Sequence, residues 1–255
     1  MTSVLGGRRR SAAFVPERAV PVPEALTGLF GETKKIIGTA GGGLRRLDAR
    51  QPLGGVSKRC MDLVLSIAIL IALSPIMLMV AALIRVRLGG PVIFAQPRIG
   101  FGGRTFTCYK FRSMPTNAAE LLERHLAANP DAAEEWKQTR KLLSDPRVGC
   151  LGNILRKSSL DELPQLFNVV LGDMSLVGPR PVVPDELANY GRYAREYCIT
   201  RPGITGLWQT TGRNRVSYRG RVARDHFYIR NWSLWLDLAL LLKTVKTVMS
   251  FDQTA

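Results

Sequence analysis

Residues 63–84 read LVLSIAILIALSPIMLMVAALI, 22 positions without a charged side chain. At ~1.5 Å per residue, a helix of that length reaches ~33 Å, enough to cross the hydrocarbon core of a bilayer. Ser74-Pro75 sits at its middle. Proline removes a backbone donor and crowds the preceding turn, while a serine hydroxyl can satisfy the carbonyl so freed. Both flanks are basic, with Lys58 and Arg59 before the stretch and Arg85 and Arg87 after it. The positive-inside bias therefore gives a crossing helix no preferred orientation, and it is best met if both ends stay cytoplasmic. The residues by themselves fit two readings: a helix that enters, bends at Ser74-Pro75 and returns, or an ordinary kinked span.

Upstream, residues 1–56 are rich in Gly, Pro and Arg (GGRRR, VPVPEA, GGGLRR) and sustain no apolar period, which reads as a flexible basic tail. Its Arg run is not followed by an apolar stretch, which argues against a twin-arginine export signal. Over the whole chain 36 Lys and Arg face 20 Asp and Glu, a formal charge of +16. Such an excess calls for an anionic partner: nucleic acid, phosphorylated substrates or the negative face of a membrane. Cys60, Cys108, Cys150 and Cys198 are scattered, and His125 and His226 are the only histidines. That pattern excludes a zinc cluster and fits a reducing cytoplasm.

Downstream of Gly89-Gly90 the period shortens. VIFAQ and TFTCYKF are β-branched and aromatic, and the Gly-rich RIGFGGR between them predicts a β-hairpin. The segment 115–144 predicts two amphipathic surface helices broken at Asn129-Pro130. The end of the chain, 231–255, carries NWSLWLDLALLLKTVKTV, whose broad apolar face follows Trp232 and Trp235. Trp prefers headgroup depth, which suits an interfacial helix; a core-packing helix is the alternative. Asp237, Lys243 and Lys246 argue against a second crossing.

The run RKSSLDELPQLFN, 156–168, sets two adjacent acids behind a cationic pair. Locally this fits a capping box, with Ser159 as N-cap and Glu162 at N3, although Pro164 then forfeits a helical bond at N5. With Asp161 as N-cap, Pro164 falls at N3 and costs none. A chemical reading is also open. Arg156 is close in sequence, GDMSLVGPRP brings Arg180 between prolines, and KFRSM adds Lys110 and Arg112. Fixed cations with two carboxylates suit phosphoryl transfer, which is mostly positioning and charge neutralisation. A divalent metal on the acids, with arginine forks on phosphate oxygens, removes the repulsion between carboxylate and phosphate. The nearby cations would also keep an Asp ionised as a nucleophile. There is no Walker loop, and no H-R-D or D-F-G follows IGFGGRTFTCYK, so the common nucleotide hydrolases and kinases are excluded.

Ser-Pro in an apolar helix, KFRSM, DPRVGCLGNILRKSSLDELPQLFNVVLGDMSLVGPRP and RPGITGLWQ together closely resemble the monotopic phosphoglycosyl transferases, over residues 57–250. These bacterial sugar transferases load a sugar phosphate onto a polyprenyl phosphate. Without a multi-helix N-terminal membrane domain, the chain looks like the short form, similar to galactose-phosphate transferases that start exopolysaccharide assembly. The resemblance implies that Asp161 is the nucleophile and that Glu162 helps it to bind Mg2+. It implies that Arg156 and Arg180 bind anions and that Ser74-Pro75 is the break of a re-entrant helix; Lys110 and Arg112 join the expected substrate site from the reading of KFRSM above. The implied reaction takes sugar 1-phosphate from a UDP-sugar, a galactose or glucose derivative, to undecaprenyl phosphate. UMP leaves, an aspartyl-phosphosugar ester forms, and the product passes to downstream glycosyltransferases.

The expected fold is thus α+β and mainly helical: a monotopic membrane protein with one re-entrant helix-break-helix, a β-hairpin and interfacial amphipathic helices. The expected divisions are a tail (1–56), a membrane helix (57–90), a catalytic domain (91–230, with the 115–144 insert) and a C-terminal helix (231–255). The expected location is the cytoplasmic face of the bacterial inner membrane, among membrane lipids. The rival from another class is a non-catalytic, membrane-docked basic protein that binds nucleic acid or anionic lipid. Aromatics are not clustered with the basic runs as single-strand binding wants, so nucleic acid is not an expected partner.

Overall fold

A computed structural model of the chain describes residues 51–139, 142, 145–211 and 216–249. Most of the expected basic tail, the end of the 115–144 insert and residues 250–255 lie outside the described residues. The apolar stretch forms the core of helix α1 (Gly55–Arg87), 33 residues long. The helix runs without interruption through Pro75, so the break expected there does not divide it in two. The reason is local. Pro75 has no N–H to give the Ile71 carbonyl, and the Ser74 hydroxyl donates to that carbonyl instead, at 2.8 Å.

Helix α1 buries polar groups near its start and apolar groups near its end. Lys58, Asp62 and Ser66 recur one turn apart on a buried face, and Met77, Val80 and Ile84 are buried further on. Between them Ile71, Ala72, Ser74, Pro75 and Ile76 are exposed. Lys58 donates to Asp237 at 2.5 Å, and the Asp237 carboxylate also accepts from Tyr228 Oη at 2.6 Å and Trp232 Nε1 at 2.9 Å. Asp62 Oδ1 accepts the Leu176 N–H at 3.0 Å. Arg59 donates to the carbonyls of Val169 and Val170.

The predicted hairpin is present. Strands β1 (Ile93–Ile99) and β2 (Thr105–Phe111) pair antiparallel, with Ile93 opposite Phe111 and Ile99 opposite Thr105. Helices α2 (Ala118–Ala128) and α3 (Pro130–Thr139) part at Asn129-Pro130, where Asn129 leaves the helical region. Then follow α4 (Cys150–Lys157), one 3-10 turn (Leu160–Glu162), α5 (Gln165–Leu171) and β3 (Ser175–Val177). After two short helices, α6 (Pro184–Leu187) and α7 (Ala194–Cys198), comes β4 (Gly203–Thr205), parallel to β3. Helices α8 (Leu207–Thr211), α9 (Tyr218–Arg230) and α10 (Leu234–Met249) complete the chain.

The main core gathers Leu166, Val169, Met174, Val177, Tyr228, Trp232, Leu236 and Leu240, with Leu65, Ile69 and Leu70 of α1 packed against it. A second cluster joins Met77, Val80 and Ile84 to Phe111 and Leu155. Helix α10 therefore presents one face to the core, while Trp235, Leu242 and Val245 on the other are exposed. The core-packing reading of the C-terminal segment describes one face of it, and the other is apolar and exposed. Trp232 departs from expectation: it is buried, with Nε1 donating to Asp237, while Trp235 is 72 % exposed.

A buried ion pair broken on one side leaves an uncompensated charge, at a cost of about 3–5 kcal/mol. Lys58→Ala should therefore lower the thermal unfolding temperature in detergent sharply. Pairing Lys58→Met with Asp237→Leu should recover part of the loss; a double variant no better than the single one would contradict a buried, charged pair.

Candidate active site

The two acids do not start a helix. Ser159 adopts φ 59, and among the described residues it alone of the non-glycines is left-handed. It makes no side-chain cap, so the capping box read from the sequence does not form. Pro164 is itself the N-cap of α5, where its missing N–H costs no helical bond. The chain thus leaves α4 through a strained residue, holds Leu160, Asp161 and Glu162 in a single tight turn, and restarts. An L-residue held left-handed is disfavoured and persists only where its surroundings over-determine it.

Around this turn the fold delivers cations from three directions. Lys110, near the end of β2, donates to Glu162 Oε1 at 2.6 Å. Arg180, in the GPRP loop that follows β3, places Nη1 3.9 Å from the same oxygen. Arg156, in the last turn of α4, donates through Nε to Ser113 Oγ at 2.9 Å, and its charge acts on Asp161. Asp145 is held in a fork by Arg147, with Nε and Nη2 at 2.8 and 2.6 Å.

The two carboxyls titrate apart. Burial pushes the Asp161 carboxyl up, and the adjacent negative Glu162 pushes it further; Lys110, Arg156 and Arg180 pull it back, leaving it at about 6. Burial also works against the Glu162 anion, but Lys110 and Arg180 outweigh it and hold Glu162 below the usual carboxylate range. The nearby cations do favour the ionised form of Asp161, while burial and Glu162 work against it. Asp161 is still mostly ionised at neutral pH, and more basic than an ordinary aspartate.

A small open pocket is lined by Lys110, Glu162 and Arg180, together with Arg98, Gln165 and Gln209. Arg112 is placed elsewhere. Its Nη1 is buried toward Gly90, where an added Cβ would lie 3.2 Å from it, and it has no hydrogen-bond partner among the described residues. Arg98 and the two glutamines were not singled out from the sequence, where nothing local marks them. Arg98 reaches the pocket from β1 and Gln165 from the start of α5, while Gln209 sits beside two loops that Gly178, Gly203 and Gly206 let interlock. A Cβ on Gly203 would stand 2.1 Å from the Gly178 nitrogen, and one on Gly206 would stand 2.4 Å from the Gly178 oxygen. Arg98 adds a tie from the hairpin by donating to the Pro181 carbonyl at 3.1 Å.

Among the described residues no three His, Cys, Asp or Glu side chains converge as a metal cage. Mg2+ needs no such cage: it retains waters and takes one or two carboxylates plus substrate phosphates. Asp161 and Glu162 are adjacent in one tight turn, and Glu162 commits Oε1 to Lys110 while Oε2 makes no hydrogen bond among the described residues. The dyad fits a cation shared with a phosphate ligand.

Comparison with known proteins agrees with this geometry. The profile of the family described as bacterial sugar transferase matches residues 53–251. The exopolysaccharide production protein ExoY of Sinorhizobium fredii is 52 % identical over 200 residues, covering 78 % of this chain and 88 % of that protein. The undecaprenyl-phosphate galactose phosphotransferase of Salmonella typhimurium is 51 % identical over 195 residues, 76 % of this chain and 41 % of that longer protein. An undecaprenyl-phosphate glucose phosphotransferase of Komagataeibacter xylinus is 42 % identical over 212 residues, 77 % of this chain and 37 % of its own length. With its acid pair, its cationic pocket and a match over most of its length, this chain belongs to the bacterial sugar transferase family.

Proposed function

We propose that the protein transfers a sugar 1-phosphate from a UDP-sugar, a galactose or glucose derivative, to undecaprenyl phosphate at the start of exopolysaccharide assembly. The observation that carries this reading is the dyad itself: a carboxylate of raised basicity, Asp161, beside a pocket that gathers Arg98, Lys110 and Arg180. The cations receive the diphosphate. An Asp161 carboxylate oxygen attacks the β-phosphorus, the bridging P–O bond breaks, and UMP departs with the bonding electrons. An oxygen of undecaprenyl phosphate then attacks the same phosphorus, and Asp161 leaves as the carboxylate it began as. Asp161 and Glu162 would hold Mg2+, which would neutralise phosphate charge when bound. Lys110 keeps Glu162 anionic, and Arg156 favours the ionised form of Asp161. A non-catalytic lipid- or nucleic-acid-binding protein has no use for two half-buried acids among its cations.

The packing of α1 supports a re-entrant placement in the membrane. Its beginning (Lys58, Asp62, Ser66) and its end (Met77, Val80, Ile84) both pack on the body that carries the site, while the Ser74-Pro75 region stands exposed. The outer side carries Val64, Ile67, Ile71, Leu78, Met79 and Leu83 to lipid. A crossing helix would put the bilayer between its two ends. A re-entrant helix lets one body hold both, with the dyad at headgroup depth on the cytoplasmic face, where UDP-sugars are found.

Purified protein with Mg2+ and undecaprenyl phosphate should release UMP from at least one UDP-hexose, and Asp161→Asn should lose that release while remaining folded. The acid limb of kcat/KM should fall tenfold per pH unit below about 6. Turnover by Asp161→Asn, or an acid limb near pH 4, would contradict the assignment. For topology, cysteines placed by Ser57→Cys and Arg87→Cys in a cysteine-free background should both label from the cytoplasm only; labelling from opposite sides would mean a crossing helix.

A further inference from the structure

Among the described residues three buried side-chain polar atoms lack a hydrogen-bond partner: Arg112 Nη1, Arg224 Nε and Gln209 Oε1. Two are donors. Gln209 Oε1 is the acceptor, and its residue is the one of the three that lines the pocket with Glu162, Lys110 and Arg180. Its orientation is fixed. Gln209 Nε2 donates to the Ile204 carbonyl at 3.0 Å, and a flipped amide would set two carbonyl oxygens against each other. The backbone beneath it is equally constrained, since Gly206 abuts Gly178 and an added Cβ there would come within 3.1 Å of Oε1. A rigid, desolvated acceptor without a donor is costly to keep and is accounted for when a ligand supplies the hydrogen.

The pocket's cations suit phosphate oxygens, but an ionised phosphate has no hydrogen to offer an amide oxygen. A hydrogen on another part of the same ligand would satisfy Gln209. We propose that Gln209 recognises the donor nucleotide sugar by accepting a hydrogen bond from one of its O–H or N–H groups, a sugar hydroxyl or the uracil imide. The inference rests on the UDP-sugar reading above and adds a specificity-determining residue to it.

The test uses full-length Gln209→Met, which keeps the side-chain length and removes the acceptor, beside Gln209→Ala and the wild type. Steady-state rates are measured with UDP-galactose and UDP-glucose, with inhibition by UMP, the KM for undecaprenyl phosphate and the melting temperature. The expected result is a loss of about tenfold or more in kcat/KM for the preferred donor, with melting temperature and acceptor KM unmoved. Weakened UMP inhibition assigns the partner to the base. Unchanged UMP inhibition with reduced discrimination between the two epimers assigns it to a sugar hydroxyl. Donor kcat/KM within about twofold of wild type in both variants would overturn the inference, as would a melting temperature or acceptor KM that falls in step with it, the mark of a merely structural role. An effect confined to the magnesium requirement would also overturn it by giving the oxygen to the cation. A wild-type protein that releases no UMP from any UDP-sugar would overturn the donor reading and this inference with it.

Discussion

The buried pair of Lys58 and Asp237 holds the molecule together at the place where membrane and chemistry meet. Two charges taken from water are stable only when attraction and hydrogen bonds offset the loss of hydration. Here Asp237 has three donors: Lys58 Nζ, Tyr228 Oη and Trp232 Nε1. The single Tyr228 hydrogen goes to the carboxylate at 2.6 Å, leaving its oxygen to accept from Lys58 at 3.2 Å. One turn further along α1, Asp62 takes the Leu176 N–H of β3. That strand runs into Gly178-Pro179-Arg180, so the anchoring of the membrane helix and the aim of an active-site arginine share one short run of backbone.

The same logic, with a different outcome, governs the acid pair. Glu162 is fully compensated by Lys110 and Arg180, whereas Asp161 carries the residual cost of burial beside a second negative charge. A carboxylate so placed is destabilised in the resting protein and relieved when its charge is shared with an electrophile, as a nucleophile requires. The left-handed Ser159 and the Pro164 cap belong to the same economy, a short turn that no continuous helix could supply.

What could be read from the sequence was what local pattern controls. The apolar run, the hairpin and the paired insert helices follow from periodicity and from Gly or Pro punctuation within a few residues. The acids were visible for a second reason, their place in a long recognisable motif. Trp232 misled because its environment is set by Asp237, which is itself held by Lys58, 179 positions away. Arg98, Gln165 and Gln209 were missed because each is an ordinary polar residue until separate elements (the hairpin, α5 and the loops that meet at Gly178 and Gly206) bring them to one pocket. The expected capping box failed because a left-handed Ser159 turns its side chain away from the role, which composition does not reveal.

The account's central claim is a covalent bond between Asp161 and a sugar-bearing phosphorus. Intact-protein mass spectrometry, after incubation with UDP-sugar and Mg2+ but without lipid acceptor, tests it directly. The account predicts an added mass of one hexose phosphate on Asp161, discharged when undecaprenyl phosphate is supplied and absent from Asp161→Asn. Adduct formation by Asp161→Asn, or turnover by a wild type that never carries the adduct, would contradict it.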